Sequence, residues 1–220
     1  MIRVAVAGAA GRMGQMVCAA VEGADDMAVT GRADPVLGTS VADVLADADV
    51  LVDFTRPDTA LDNARAALGA GVHVVIGTSG FDLDGLRDAA AASAAKAFVG
   101  PNFAIGAVLM MRFAAEASKV MERAEIIELH HAAKLDAPSG TAAHTAEMME
   151  GDVPIHSVRL PGVVADQEVI LGDVAQTLSI RHVTTDRTSF MPGVLLAVRK
   201  VADLPESPVI GLERLLWPED

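Results

Sequence analysis

The chain has 220 residues, with 30 acidic against 17 basic side chains and a formal net charge of −13. Apolar residues make up 51% and charged residues 21%, a ratio that excludes a disordered chain. The negative excess argues against nucleic acid or an anionic membrane as partner, because each needs a basic face. Only 3% of residues are aromatic, which removes the stacking platforms that single strands use.

In chain order, Ile2–Ala7 reads as a short buried strand. It runs into a helix whose Met13, Met16, Val17, Ala20 and Val21 recur at helical spacing, with Gly23 as its stop. Arg3 interrupts the first apolar run and glycines follow at once, so no secretory leader is expected. The lone cysteine, Cys18, excludes an internal disulfide framework and a Cys-rich metal site, and reads as a small buried side chain. A second strand is expected over residues 27–33 and a third over 50–54. Pro57-Asp58 opens a helix carrying Leu61, Ala64 and Leu68, and residues 72–76 form a fourth strand. Asp82 caps an Ala-rich helix, and residues 97–99 form a fifth strand. Short strands alternating with helical patterns predict an α/β fold with a parallel sheet.

After Pro101 the texture changes. A helix over 106–122 precedes a strand over 124–130, and strand-like runs follow at 156–160, 167–171 and 176–183. These predict an α+β domain with a mixed or antiparallel sheet. From Gly193 the chain is helical again, through a final segment at 210–217. The longest apolar stretch, 99–111, holds Pro101 and Asn102 and is shorter than the roughly 20 residues of a membrane span. The expectation is a soluble, cytoplasmic protein.

Two stretches carry chemistry. The first is Gly8-Ala9-Ala10-Gly11-Arg12-Met13-Gly14, between a predicted strand and helix. Glycines there let the backbone turn tightly against a pyrophosphate, whose charge faces the helix N-terminus. Asp34 follows Gly14 by 20 residues, at the end of the second strand, where an acid grips the ribose hydroxyls. Its charge would repel a 2′-phosphate, which favours NADH, and the neighbouring Arg12 offsets this enough for NADPH to be tolerated. Two loops, Asp53-Phe54-Thr55-Arg56-Pro57 and Gly77-Thr78-Ser79-Gly80, follow predicted strands at the sheet edge where a nicotinamide would lie. Turn chemistry alone accounts for either of them equally well.

The second stretch is residues 128–141, Glu-Leu-His-His-Ala-Ala-Lys-Leu-Asp-Ala-Pro-Ser-Gly-Thr. Neighbouring strand residues face opposite ways, so His130 and His131 are a poor metal pair, and no metal is expected. A proton donor and a substrate clamp is the more natural division. Lys134 offers a cation and a second possible proton donor. Ser139-Gly140-Thr141 opens a helix whose free N–H groups suit a carboxylate. His73, His144, His156 and His182 read as structural or solvent-facing.

Together the stretches VAVAGAAGRMG (4–14), DFTRP (53–57), GTSGF (77–81), GPNFAIG (100–106) and ELHHAAKLDAPSGTA (128–142) closely resemble the 4-hydroxy-tetrahydrodipicolinate reductase (dihydrodipicolinate reductase) family of lysine and diaminopimelate biosynthesis. The regions of Arg159 and Arg187 are similar too. The resemblance implies a Rossmann-like dinucleotide-binding domain over 1–103, completed by 192–220. It also implies an α+β substrate and tetramerisation domain with a mixed sheet over 104–191, hence a homotetramer. It assigns Gly8, Ala9, Ala10, Gly11, Arg12 and Met13 to the dinucleotide and Asp34 to its ribose. Phe54, Gly77, Thr78 and Ser79, with Gly100, Pro101, Asn102 and Phe103, would surround the nicotinamide. His130 would be the proton donor and Lys134 a second donor or carboxylate partner. His131, Gly140 and Thr141 would grip a small dicarboxylate, which receives a hydride at ring C4 as its 4-hydroxyl leaves as water. The chain departs from the family at Ala104, where Ser is usual, and at 164–167, where Val-Ala-Asp-Gln replaces a frequent Val-Gly-Glu-His. It is also shorter than most members. Another amino-acid-pathway dehydrogenase, such as an aspartate dehydrogenase, would share the glycine turn but has no reason for the His-His-x-x-Lys block. A redox-sensing nucleotide-binding module would need no proton donors.

Overall fold

Apolar runs without polar alternation suit strands that are covered on both faces, and four such runs build the centre of the first sheet. A computed structural model describes residues 1–218. β1 (Ile2–Ala7), β2 (Met27–Ala33), β3 (Val50–Asp53), β4 (His73–Ile76), β5 (Ala97–Val99) and β10 (Val209–Ile210) form one six-stranded sheet in the order β10-β5-β4-β3-β1-β2. Every pairing in it is parallel, as the sequence predicts for the first half. β3, β4 and β5 are almost wholly buried. The helices α1 (Arg12–Glu22), α2 (Pro57–Gly69), α3 (Leu83–Ala91) and α6 (Met191–Lys200) belong to the same unit, made of Met1–Phe103 and the chain from Phe190 onward. The chain runs from β1 outward to β2, then returns to the other side of β1 as β3. That reversal places the crevice of a Rossmann-like sheet at the carboxyl ends of β1 and β3.

Local chemistry sets the element ends. Asp82 accepts from the amides of Asp84 and Gly85 and so starts α3. Pro57 stands at the first position of α2, and Gly23 closes α1. Cys18 is buried on the inner face of α1, where burial pushes its thiol pKa up.

Ala104–Ser189 forms the second unit. Its sheet has the order β7-β6-β8-β9, with β6 (Arg123–His130) parallel to β7 (Ile155–Arg159) and antiparallel to β8 (Ala165–Asp173), which is in turn antiparallel to β9 (Gln176–Thr184). Ala114 of α4 (Ile105–Ser118) and Ala142 of α5 (Gly140–Met148) pack with Ile126, Val169 and Leu171 in one small core.

Three expectations shift. The helix expected to reach residue 122 ends at Ser118. The Ser118 hydroxyl donates back to the Ala115 carbonyl and accepts from the Glu150 amide, which favours a break there. β8 runs further at both ends than residues 167–171, because β6 offers it a partner from His130 to Arg123. β10 is only two residues long, too short for any period to reveal, and its pairing with β5 brings the end of the chain into the first sheet.

Ala104 is the N-cap of α4, in extended backbone with φ −75° and ψ 104°, and supplies no side-chain cap. Ala104→Ser is expected to stabilise the protein by about 1 kcal/mol, read as a raised urea midpoint. An unchanged midpoint would show that the hydroxyl does not reach the first-turn amides.

Candidate active site

The turn from β1 to α1 is closed by backbone crowding. Gly8 lies at φ +76°, a conformation that favours glycine, and a Cβ there would come within 2.6 Å of the Phe54 carbonyl oxygen. A Cβ on Gly14 would come 2.0 Å from the Gly8 oxygen, so α1 can start this close to the turn only with glycine there. Gly11 is the N-cap and brings no side chain to the first-turn amides, and Arg12 beside it is exposed. The result is a helix N-terminus with uncapped donors and room for an anion. Ala9 is buried, Met13 half-buried, and the Ala10 amide donates to Asp34 Oδ2 at 3.1 Å. Asp34 Oδ1 accepts from the Val36 amide at 2.9 Å. The acid at the end of β2 is thus fastened to the glycine turn, and each oxygen keeps a further lone pair for a ribose hydroxyl. These contacts fit a dinucleotide at this turn.

The loops after β3, β4 and β5 meet at the same end of the sheet. The Phe54 ring lies so close over Gly77 that a Cβ there would come 2.1 Å from it. Phe103 does the same to Gly100, with a gap of 2.3 Å. The two rings are tilted together with centroids 5.7 Å apart. Phe103 is buried and also meets Phe98, so its ring is part of the layer beneath the loops. Ser79 and Pro101 are exposed above that layer and Asn102 is half-buried. The Thr78 hydroxyl turns inward and donates to Asp53 Oδ1 at 2.9 Å.

In the second unit the polar block gathers around one carboxylate. Glu128 and His130 are two apart on β6 and so share a face. His130 Nδ1 lies 2.5 Å from Glu128 Oε2. Arg159 enters from β7, which pairs with β6 in register, and places Nη1 at 2.9 Å from Oε2 and Nη2 at 2.8 Å from Oε1. The Ser139 amide donates to Oε1 at 3.3 Å, and Arg159 Nη2 also donates to the Asp136 carbonyl at 2.7 Å. Glu128 is fully buried. Burial alone pushes its carboxyl up, but hydrogen bonds from Arg159, Ser157 and His130 overcome that and hold it down to about 2. The anion therefore accepts the Nδ1 proton of His130, which leaves Nε2 as the ring nitrogen that Glu128 does not engage.

The same carboxylate anchors the start of α5. Ser139 is its N-cap and accepts from the Ala142 amide, while Gly140 and Thr141 form the open first turn. His131 is half-buried just past the end of β6. Lys134 Nζ pairs with Asp136 at 2.9 and 2.7 Å, and that contact lowers the Asp136 carboxyl pKa. Gln167, at one of the departures from the family pattern, is buried and donates to the Thr145 hydroxyl, which pins α5 to β8. The remaining histidines lie elsewhere. His73 Nδ1 accepts from the Lys96 amide, His144 and His156 are exposed beside glutamates, and His182 covers Gly106. Among the described residues no group of three or more His, Cys, Asp and Glu could hold a metal ion, and no helix is long and apolar enough to cross a membrane.

From sequence alone Glu128 and Arg159 carry no role, and Asp53 enters only as a member of the 53–57 loop. For Glu128 a signal was present, because an acid two residues before a histidine on a strand faces the same way.

The family description "Dihydrodipicolinate reductase, N-terminus" matches residues 2–103, and "Dihydrodipicolinate reductase, C-terminus" matches residues 106–216. The chain is 44% identical over 245 residues to a 4-hydroxy-tetrahydrodipicolinate reductase of Mycolicibacterium vanbaalenii, covering 98% of this chain and 99% of the relative. It is 46% identical over 247 residues to one of Thermobifida fusca, with the same coverage. Among solved structures, a dipicolinate-bound dihydrodipicolinate reductase from a Paenisporosarcina species superposes with a TM-score of 0.84 at 34% identity, over 97% of this chain and 99% of that one. A scyllo-inositol dehydrogenase of Lactobacillus casei, at 12% identity and a TM-score of 0.62, shares the fold alone.

Proposed function

The chain belongs to the dihydrodipicolinate reductase family, and from that premise we propose how its residues carry the reaction. The reaction is the NAD(P)H-dependent reduction of (2S,4S)-4-hydroxy-2,3,4,5-tetrahydrodipicolinate to tetrahydrodipicolinate, with loss of water, in lysine and diaminopimelate biosynthesis. The observation that carries the assignment of roles is the single buried carboxylate, Glu128, which holds both His130 and the Ser139 amide at the start of α5. It links a proton donor to a carboxylate-binding helix end in one constellation.

When bound, the nicotinamide supplies the hydride. Gly8–Met13 cradle the pyrophosphate on the N-terminus of α1, Asp34 takes the ribose, and Phe54, Gly77–Ser79 and Gly100–Phe103 form the nicotinamide side. His130 gives a proton from Nε2, which relieves the negative charge that builds on a reduced conjugated imine. His131, Gly140 and Thr141 hold a substrate carboxylate. Lys134 is already matched to a carboxylate, that of Asp136, and a substrate carboxylate would take over that place.

NADH is the preferred cofactor and NADPH is tolerated. A 2′-phosphate about 4 Å from the Asp34 carboxylate would meet repulsion on the order of 4 kcal/mol before solvent screening, and the exposed Arg12 offsets part of it. The working form is a homotetramer in the cytoplasm. Supporting assembly, β9 is a nine-residue edge strand carrying exposed Leu178 and Val183. A single buried thiol suits a reducing compartment.

Supplying the purified protein with substrate from a coupled synthase, and following NADH and NADPH absorbance, tests the reaction. Substrate-dependent oxidation of both is expected, faster with NADH, and none above background would sink the reading. Asp34→Ala should shrink the ratio of NADPH to NADH dissociation constants several-fold. Because a ratio is insensitive to general damage at the turn, an unchanged value would remove Asp34 as the determinant.

A further inference from the structure

A carboxylate that no assigned role uses lies beneath the nicotinamide loops. Asp53 ends β3, between Ala7 of β1 and Ile76 of β4, and is fully buried. Isolating a charge there is costly unless its lone pairs are filled. All four bonds that fill them come from neutral groups. Oδ1 accepts from the Thr55 amide at 3.0 Å, the Thr55 hydroxyl at 2.8 Å and the Thr78 hydroxyl at 2.9 Å. Oδ2 accepts from the Asn63 amide nitrogen at 2.8 Å. Donors from the loop after β3, the loop after β4 and the second turn of α2 thus converge on one anion.

What rests on this knot is specific. Phe54 lies between Asp53 and Thr55, so the knot fixes the segment whose carbonyl closes over Gly8 and whose ring covers Gly77. A neutral side chain at residue 53 would accept fewer of these donors and would free Thr78 and Thr55 to turn outward. An amide in the same place would also set an NH2 group against the NH2 of Asn63.

We propose that Asp53 is a positioning residue for the nicotinamide half of the cofactor: its buried carboxylate locks the loops after β3 and β4 to each other in the conformation that receives the ring. The proposal rests on the reading that this unit binds a nicotinamide dinucleotide. The adenosine half is held elsewhere, by Asp34 and the α1 N-terminus, so the two halves of the cofactor separate the effects.

The experiment titrates NADH and ADP-ribose separately into the full-length wild type and Asp53→Asn, with urea midpoints measured alongside. Asp53→Asn is expected to weaken NADH binding by about tenfold, the scale of a lost hydrogen bond to a charged group. ADP-ribose should lose no more than about threefold, because it lacks the nicotinamide ring and meets the knot only through the Phe54 carbonyl beside Gly8. The exchanged pair Asp53→Asn with Asn63→Asp returns a carboxylate to the same knot and should restore NADH affinity to within about threefold. If Asp53→Asn does not fold, Thr78→Val cuts the bond between the loops and should show the same selectivity at smaller amplitude. NADH affinity unchanged in either folded variant, or equal losses for NADH and ADP-ribose, would overturn the proposal by making the knot irrelevant or merely structural. A wild type that binds neither ligand would overturn the dinucleotide reading itself, and this inference with it.

Discussion

His130→Gln is expected to lower kcat by roughly 10²- to 10⁴-fold, the range for loss of a positioned proton donor, while NADH affinity stays within about twofold. The side chain is mostly buried, and Nδ1 is held 2.5 Å from a carboxylate. Its ring plane and tautomer are therefore set before substrate arrives. Glutamine can keep a hydrogen bond to Glu128 but cannot release a proton near neutral pH. The loss thus falls on the chemical step and not on the shape of the site. Thr141→Val serves as the contrasting case. It removes a hydroxyl from the first turn of α5 and leaves the dyad intact, so KM should rise with kcat little changed. If His130→Gln keeps wild-type kcat, the proton donor lies elsewhere, and an unchanged KM in Thr141→Val would remove that hydroxyl from the substrate grip.

The parts of this site that could be read from sequence are those encoded by neighbours in the chain. The glycine turn is visible because a buried apolar run must reverse into a helix, and only glycine tolerates φ +76° against the Phe54 carbonyl. Asp34 is visible by spacing, and Ser139 by its place ahead of a helix. The hidden parts depend on strand pairing. Arg159 lies 31 residues from Glu128 and reaches it only because β7 adds to β6 in parallel, in register with His130 opposite Arg159. Nothing local to either residue encodes that register. Asp53 is hidden for the same reason, since Thr78 is 25 residues away on the next loop. An acid closing the run Val50-Leu51-Val52 is nevertheless a signal in itself, because a charge there must find donors.

The distribution of charge sharpens what a net of −13 implies. Both ligands of the proposed reaction are anions, and an acidic protein has to hold them locally. At α1 the cradle is built from backbone amides, with one exposed guanidinium beside it. In the second unit two cations of the polar block are already matched, Lys134 to Asp136 and Arg159 to Glu128. Arg159 is therefore better placed to organise the site than to bind substrate, because its two terminal nitrogens are engaged by Glu128 and by the Val158 and Asp136 carbonyls.

That arrangement makes Glu128 the residue whose loss should cost most, in a pH-dependent way. Its carboxyl is held at about 2 against an ordinary value of 4.5, so the folded state binds this proton less readily than the unfolded chain. A depressed carboxyl contributes its stability above the unfolded value and loses it as pH falls from about 4.5 towards 2. The difference is worth at most about 3 kcal/mol, less the screening that reaches the partly exposed Arg159 side of the pair. Glu128→Leu should therefore destabilise the protein by about 3–5 kcal/mol at pH 7, because Arg159 is left without its anion. The gap to wild type should narrow as the pH is lowered to about 3, where wild type is losing the same contribution. Removing Arg159 as well, in Glu128→Leu with Arg159→Met, should recover much of the pH 7 loss, since the double variant leaves no unpaired charge. It should not recover kcat, because His130 would still lack the carboxylate that sets its tautomer. Urea midpoints for the three proteins at pH 7 and pH 3, with turnover at pH 7, separate the two roles. A gap that does not change with pH would show that the Glu128 charge is not what stabilises the pair. Turnover restored along with stability would mean that the carboxylate braces the fold and leaves His130 to orient itself.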